Sequence, residues 1–347
     1  MVEVVTDVDG FVALEPVWRR LETGSHMRIF QTYLWCKLAW DYVLSKIPGN
    51  ILCIIKWERG DDAVILPTYI DKRGTLRFIA DDDSDVCEAV YSIGSNHSLA
   101  YKEIAKAIQE NRLVKSAWLQ KLCGDGEAVN YLGVLVPGAI VAKDNAFSWL
   151  HVKQSGDFIA AQTHMQSKDR ADLKGVLRHS QKYELRVLSD LNGDAFPRND
   201  ISFLRAAMRK EGKRSAHYFD DAQLAFAEEI YRHRGCDVAL LLEEGRLVAA
   251  NILLKKDTRV LSWIFLYTDA RASTSLYIKY LCERRCDVDY IFDFGVGVYS
   301  YKIGTFRPNT KVTYSLRYGK SHMSYLCALA RANVRFLKDY VKAALQK

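Results

Sequence analysis

The sequence predicts an α+β protein of two similar domains, each a mostly antiparallel twisted sheet with flanking helices. Three observations predict it. The chain has 347 residues, too long for one ordinary core and suited to two domains of ~150 residues each. An amphipathic helix followed by three short apolar runs occurs twice. After the second occurrence come a hydroxyl-rich turn, a helix pattern and one more apolar run.

The first occurrence begins at FQTYLWCKLAWDYVLSKI (30–47), whose aromatic and aliphatic residues recur at helical spacing. LCIIKW (52–57) and AVILPTYI (63–70) follow, joined by ERGDD, and TLRFIA (75–80) comes after Arg73-Gly74. The second begins at DDAQLAFAEEIYRHR (220–234). VALLLEE, Gly245, LVAANILLKK, a turn at Asp257-Thr258 and VLSWIFL complete it by residue 266. Setting Gly60 over Gly245 brings the three apolar runs of each copy into register. A helix, then three strands on tight turns, is an antiparallel meander. The domains are therefore placed at 1–150 and 151–320, with a C-terminal helix at 321–347. Within that helix, 324–347 is basic and amphipathic, suited to packing on the second domain or to peripheral contact with an anionic membrane.

The last apolar run is Tyr290-Ile291-Phe292-Asp293-Phe294. The order strand, turn, helix, strand makes this last pair parallel, with Asp293 at the exit of the final strand. Ser273, Thr274 and Ser275 precede the helix pattern of Leu276, Ile278, Tyr280 and Leu281. Hydroxyls at a helix start cap its free N–H groups. The same N–H groups and the helix dipole also hold anions, with Arg271 just before and Lys279 one turn in. Lys168, Arg170, Lys174, Arg178 and Lys182 form a basic row at helical spacing. Such a row is ordinarily a solvated face; it also suits the border of an anion site.

Hydrophobic residues make up 49% and charged residues 26%, a globular composition. No run reaches the ~18 apolar residues of a membrane span. The acidic start lacks the positive region of a signal peptide, so a cytoplasmic location is expected. Eight cysteines are present, and Cys282 and Cys286 have no second Cys/His pair at zinc spacing. Reduced thiols and no metal are expected. The net charge of +7 suits a polyanionic small molecule, an acidic carrier or an anionic surface.

Several chemistries are excluded by what Asp293-Phe294-Gly295 lacks around it. There is no kinase catalytic loop upstream; His233-Arg234-Gly235 has no aspartate. Gly295 and Gly297 have no third glycine for dinucleotide binding. No P-loop and no Gly-x-Ser-x-Gly elbow occurs.

The segment Asp293, Phe294, Gly295, Gly297, Tyr301, Lys302 resembles the GNAT acyltransferase superfamily, and within it the FemAB-like and cellulose-biosynthesis (CelD-type) branch with tandem GNAT-like domains. Phe30-Gln31, Trp35, Ser84-Asp85 and the basic helix at 168–182 extend the resemblance over nearly the whole chain. One departure is that Ala272-Ser273-Thr274-Ser275 stands where many such enzymes have a glycine-rich pyrophosphate loop.

The resemblance implies tandem GNAT-like domains and acyl transfer from acyl-coenzyme A (acetyl or longer) or an acyl carrier protein. The acceptor would be an amine or hydroxyl of a sugar or amino acid, in a small molecule or a surface-polysaccharide precursor. The departure leaves a tRNA-dependent aminoacyl transferase open, and a non-catalytic binding module as a third reading. Such a reaction needs a held donor, a polarised carbonyl, a deprotonated acceptor and a protonated thiolate. The donor is expected across Tyr267, Arg271, Ser273, Thr274, Ser275 and Lys279. Asp293 would take the acceptor's proton or position its ammonium, or else fix the Gly295 turn. Lys302 would polarise the carbonyl or bind an acidic acceptor, Tyr299 or Tyr301 protonate the thiolate, and His217 serve as an alternative base.

Overall fold

The computed structural model describes every residue except 24–27, 94–96, 125, 154–156, 216, 285–287, 298 and 321–347. The expected C-terminal helix lies outside the described residues. So do Cys286 and the side chain of Tyr301. The chain divides into two compact units, Met1–Asn145 with the segment from Val312, and Ala146–Lys311. The expected boundaries were 150 and 320. Among the described residues, no helix is long and apolar enough to cross a membrane.

The first unit contains β1 (Val2–Val5), α1 (Val8–Ala13), α2 (Glu15–Leu21), α3 (Tyr33–Tyr42), β2 (Ile51–Leu52), β3 (Ile54–Arg59), β4 (Asp62–Leu66), β5 (Thr68–Ile70), β6 (Thr75–Phe78), β7 (Val90–Tyr91), α4 (Ser98–Glu110), β8 (Ser116–Cys123) and α5 (Glu127–Leu135). The expected strand 63–70 is broken at Pro67, which has no N–H for a ladder. Its halves pair with different partners, β4 with β3 and β5 with β2, both antiparallel. β6 returns antiparallel to β5. β8 then runs parallel to β6 and takes a second, antiparallel neighbour from far down the chain, Thr313–Gly319. α4 puts Tyr101, Ile104 and Ile108 into a core with Val64, Leu66 and Leu119.

The second unit receives the end of β9 (Ile140–Val152). It then contains α6 (Phe158–Ala161), α7 (Ser167–Ser180), β10 (Tyr183–Leu188), α8 (Arg198–Lys210), α9 (Asp221–Arg232), β11 (Cys236–Glu243), β12 (Arg246–Lys256), β13 (Arg259–Tyr267), α10 (Ala270–Glu283), β14 (Tyr290–Val296) and α11 (Ser300–Phe306); β15 (Asn309–Gly319) follows. β10, β11, β12 and β13 pair antiparallel in sequence order. Gly245 supplies the positive φ, +77°, that the β11–β12 turn requires. β14 is parallel to β13, as the strand–helix–strand order predicts. Its other neighbour is β9, through residues 147–152. The core is aromatic where α10 meets the sheet. Tyr277 contacts Phe292 and Phe294 edge-on at 5.9 and 5.3 Å, and Phe294 contacts Phe306 at 5.1 Å.

Candidate functional site

Two strands part in the second unit. β13 and β14 pair only over Arg259↔Ile291, Val260↔Phe292 and Leu261↔Asp293. Beyond that point β13 runs on to Tyr267 and into α10, while β14 turns away. The ladder from β14 to β9 is interrupted at the same place, between Asp293 and Val296. Phe294 and Gly295 therefore form a bulge with Gly295 at φ +73°. A bulge next to a splay leaves backbone groups without strand partners, and buried ones must be satisfied.

The motif residues satisfy them. Asp293 is fully buried, and its Oδ1 accepts from the Gly295 N–H at 3.0 Å. Its Oδ2 accepts from Arg259 Nη1 at 3.1 Å. Lys302, buried at 4% exposure, donates from Nζ to the Phe294 carbonyl at 2.5 Å and the Val296 carbonyl at 3.5 Å. Asp293 lies in mid-strand rather than at the strand's exit, since β14 continues to Val296. Phe294 is core. The sequence reading missed Arg259, whose partner lies 34 residues away and has no sequence signal.

α10 begins earlier than the hydroxyl cluster suggested. Asp269 is its N-cap and accepts from the Arg271 N–H at 3.0 Å. Ser273, Thr274 and Ser275 therefore sit inside the helix, and the capping role expected of them belongs to Asp269. Aspartate is among the strongest N-caps and outcompetes residues further on. Arg271, Thr274 and Ser275 fall at i, i+3 and i+4, which is one helix face.

That face borders a groove of about 580 Å³, within the size range of small-ligand sites. The opposite wall is α7, through Ala171, Asp172, Gly175, Val176, Arg178 and His179; Thr305 of α11 completes it. The basic row thus does border this space, through Arg178. The α7–α10 contact was not legible, because neither helix's sequence names its neighbour. Gly175 was one overlooked sign. It interrupts a helix at about 1 kcal/mol relative to alanine, and a Cβ there would meet nothing within 4 Å. Packing does not demand a glycine here; the groove is wider for having one.

Ser275 is 1% exposed and lines the groove. The Arg178 and Arg271 side chains are exposed and make no ion pair among the described residues. Asp172 is the one acid among the lining residues.

The remaining expected residues lie elsewhere. Lys279 is buried against Glu283, and Ser273 is buried off the groove. Tyr267 lies under the Lys213 ammonium, 5.2 Å from its ring centre. His217 is exposed in the turn between α8 and α9. In that turn, Arg205 and Arg209 hold the carbonyls of Phe219 and Tyr218 at 3.0 and 2.8 Å. α10 is seated on the strands by a buried chain of polar groups. Asn251 Nδ2 donates to Ser262 Oγ at 2.9 Å, and Ser262 Oγ meets the Tyr277 hydroxyl at 2.8 Å.

Residues 167–303 match the family model of the acetyltransferase (GNAT) domain. The interval runs from the first turn of α7 to Ile303 and so includes the α7 and α10 walls of the groove and the bulge. No curated protein matches the chain. Three solved structures share the fold over nearly their whole length. A conserved protein of unknown function from Bacteroides thetaiotaomicron has TM-score 0.57 at 10% identity, covering 92% of this chain and 100% of that one. FemX has TM-score 0.57 at 9% identity, covering 93% and 99%. A tandem GNAT protein from the clavulanic acid biosynthesis pathway has TM-score 0.52 at 11% identity, covering 92% and 98%. The architecture is that of tandem GNAT-like domains.

Proposed function

With a GNAT acetyltransferase domain over 167–303 as the premise, we propose that the protein moves an acyl group from acyl-coenzyme A, or an acyl carrier, to an amine or hydroxyl. The acceptor in this reading is a sugar or amino-acid group on a surface-polymer precursor. One observation carries the donor assignment: the groove between α7 and α10, whose walls carry the Ser275 hydroxyl and two guanidiniums that make no ion pair among the described residues. A phosphate-bearing donor supplies acceptor oxygens for all three groups. The parting of β13 from β14 would let the acyl end lie between them.

The reaction joins the acceptor nitrogen or oxygen to the acyl carbon and breaks the carbon–sulfur bond. The acceptor loses a proton and the thiolate gains one. Asp293 and Lys302 act here as positioning residues. One Asp293 oxygen and the Lys302 ammonium hold the bulge, and the other Asp293 oxygen takes the Arg259 guanidinium of β13. Tyr301, in the first turn of α11, keeps the role of thiolate acid. His217 receives none.

Calorimetric titration with coenzyme A and its acetyl, octanoyl and palmitoyl thioesters tests the donor. Micromolar binding is expected, weakened about tenfold or more by Arg271→Ala or Ser275→Asp, the loss of one charge-assisted contact. Tyr301→Phe should lower kcat without weakening donor binding. A second reading rests on the exposed cations of α7, Lys168, Lys174 and Arg178, which suit a nucleic-acid backbone. It is transfer of an aminoacyl group from charged tRNA. Failure of every thioester to bind, with retention of charged tRNA in low salt, would replace the first reading by this one.

A further inference from the structure

Resting on the coenzyme A reading, we propose that α7 is the element that selects the donor. Its last turn, Arg178 with His179, holds a phosphate monoester at the far end of the donor, separate from the pyrophosphate held by Arg271, Thr274 and Ser275.

The inference comes from how charge is divided between the two walls. The α10 wall offers a guanidinium, one hydroxyl that is half-buried and one that is buried. These suffice for one anionic group. The α7 wall carries a second guanidinium and an imidazole, one residue apart, across the groove from the first. Two like charges on facing walls repel, and only Asp172 offsets them among the lining residues. A single pyrophosphate on the α10 wall would leave the α7 pair without an acceptor. A donor with two separate anionic groups satisfies both walls. Coenzyme A is such a donor: it has a pyrophosphate in its chain and a phosphate monoester on its ribose. Gly175 fits the same picture, because it leaves open space on the α7 wall between Asp172 and His179.

The test compares coenzyme A with dephospho-coenzyme A, which lacks only the monoester, by calorimetry on the full chain. The unchanged protein is expected to prefer coenzyme A by about tenfold or more, the value of one charge-assisted contact. Arg178→Ala should bring that ratio close to one, and His179→Gln should reduce it by a smaller factor. Arg271→Ala should weaken both ligands and leave the ratio standing. Circular dichroism and the thermal midpoint of each variant separate misfolding from lost contacts. Equal affinity of the unchanged protein for the two ligands overturns the assignment of α7 while leaving the donor reading intact. An Arg178→Ala protein that loses both ligands alike overturns it too. Binding of neither ligand overturns the donor reading, and this inference with it.

Discussion

At the scale of residues, the motif that draws the eye in the sequence is mostly occupied with its own backbone. Asp293, Gly295 and Lys302 hold a bulge, and Phe294 fills the core between α10 and α11. Removing Arg259 would leave a buried carboxylate without its cation. Arg259→Met should cost about 3 kcal/mol by chemical denaturation, and Asp293→Asn less, because the neutral amide needs no counter-charge. A cost for Arg259→Met below that of ordinary surface changes would show that Asp293 is satisfied by other means. A second buried acid lies in the first unit. Asp81 is 1% exposed, and burial pushes its carboxyl up to about 7. Arg77 opposes this with two contacts at 2.9 Å, but burial outweighs it. An acid raised in the folded state favours folding at low pH and loses that contribution as pH climbs to its folded value. Between about pH 4 and pH 7, therefore, Asp81 subtracts stability as pH rises. Asp81→Asn should flatten the thermal midpoint against pH in that window; an unchanged slope would place the titration elsewhere.

At the scale of elements, α7 shows how a helix can give up stability for a surface. Gly175→Ala should raise stability by up to about 1 kcal/mol, since helix propensity improves and the added Cβ meets nothing within 4 Å. Gly175→Glu should instead weaken donor binding by narrowing the groove and adding a negative charge. If both substitutions leave donor affinity alone, the groove is not where the donor lies. α10 behaves differently. Its seat is fixed by the Asn251–Ser262–Tyr277 chain and by aromatic packing, so the direction of its Arg271 face follows from burial further along the helix. That is why Thr274 and Ser275 are wall rather than cap, while Ser273 is buried off the groove. Sequence spacing located the helix to within a turn, and the competing cap, Asp269, set where it starts.

At the scale of the whole molecule, both units follow one scheme: a meander, a helix-bearing crossover to a parallel strand, and an antiparallel strand beyond it. In the first unit this is β6, α4, β8 and then β15; in the second it is β13, α10, β14 and then β9. The closing strand of the first unit comes from the end of the described chain. A chain cut after Lys311 should therefore expose the β8 ladder. The amides of Ser116–Cys123 should lose protection from hydrogen exchange, and retained protection would mean that another segment covers them. By itself the sequence determined the α+β class, the repeated meander, the parallel last pair and the basic helix. These rest on periodicity and turn chemistry, which act over a few residues. Tertiary structure alone decided that Arg259 neutralises Asp293, that α7 faces α10 across a groove, and that β8 and β14 each take a distant strand as antiparallel neighbour. Such contacts join residues tens to hundreds of positions apart, and they form because buried charges and strand edges need partners wherever in the chain those lie.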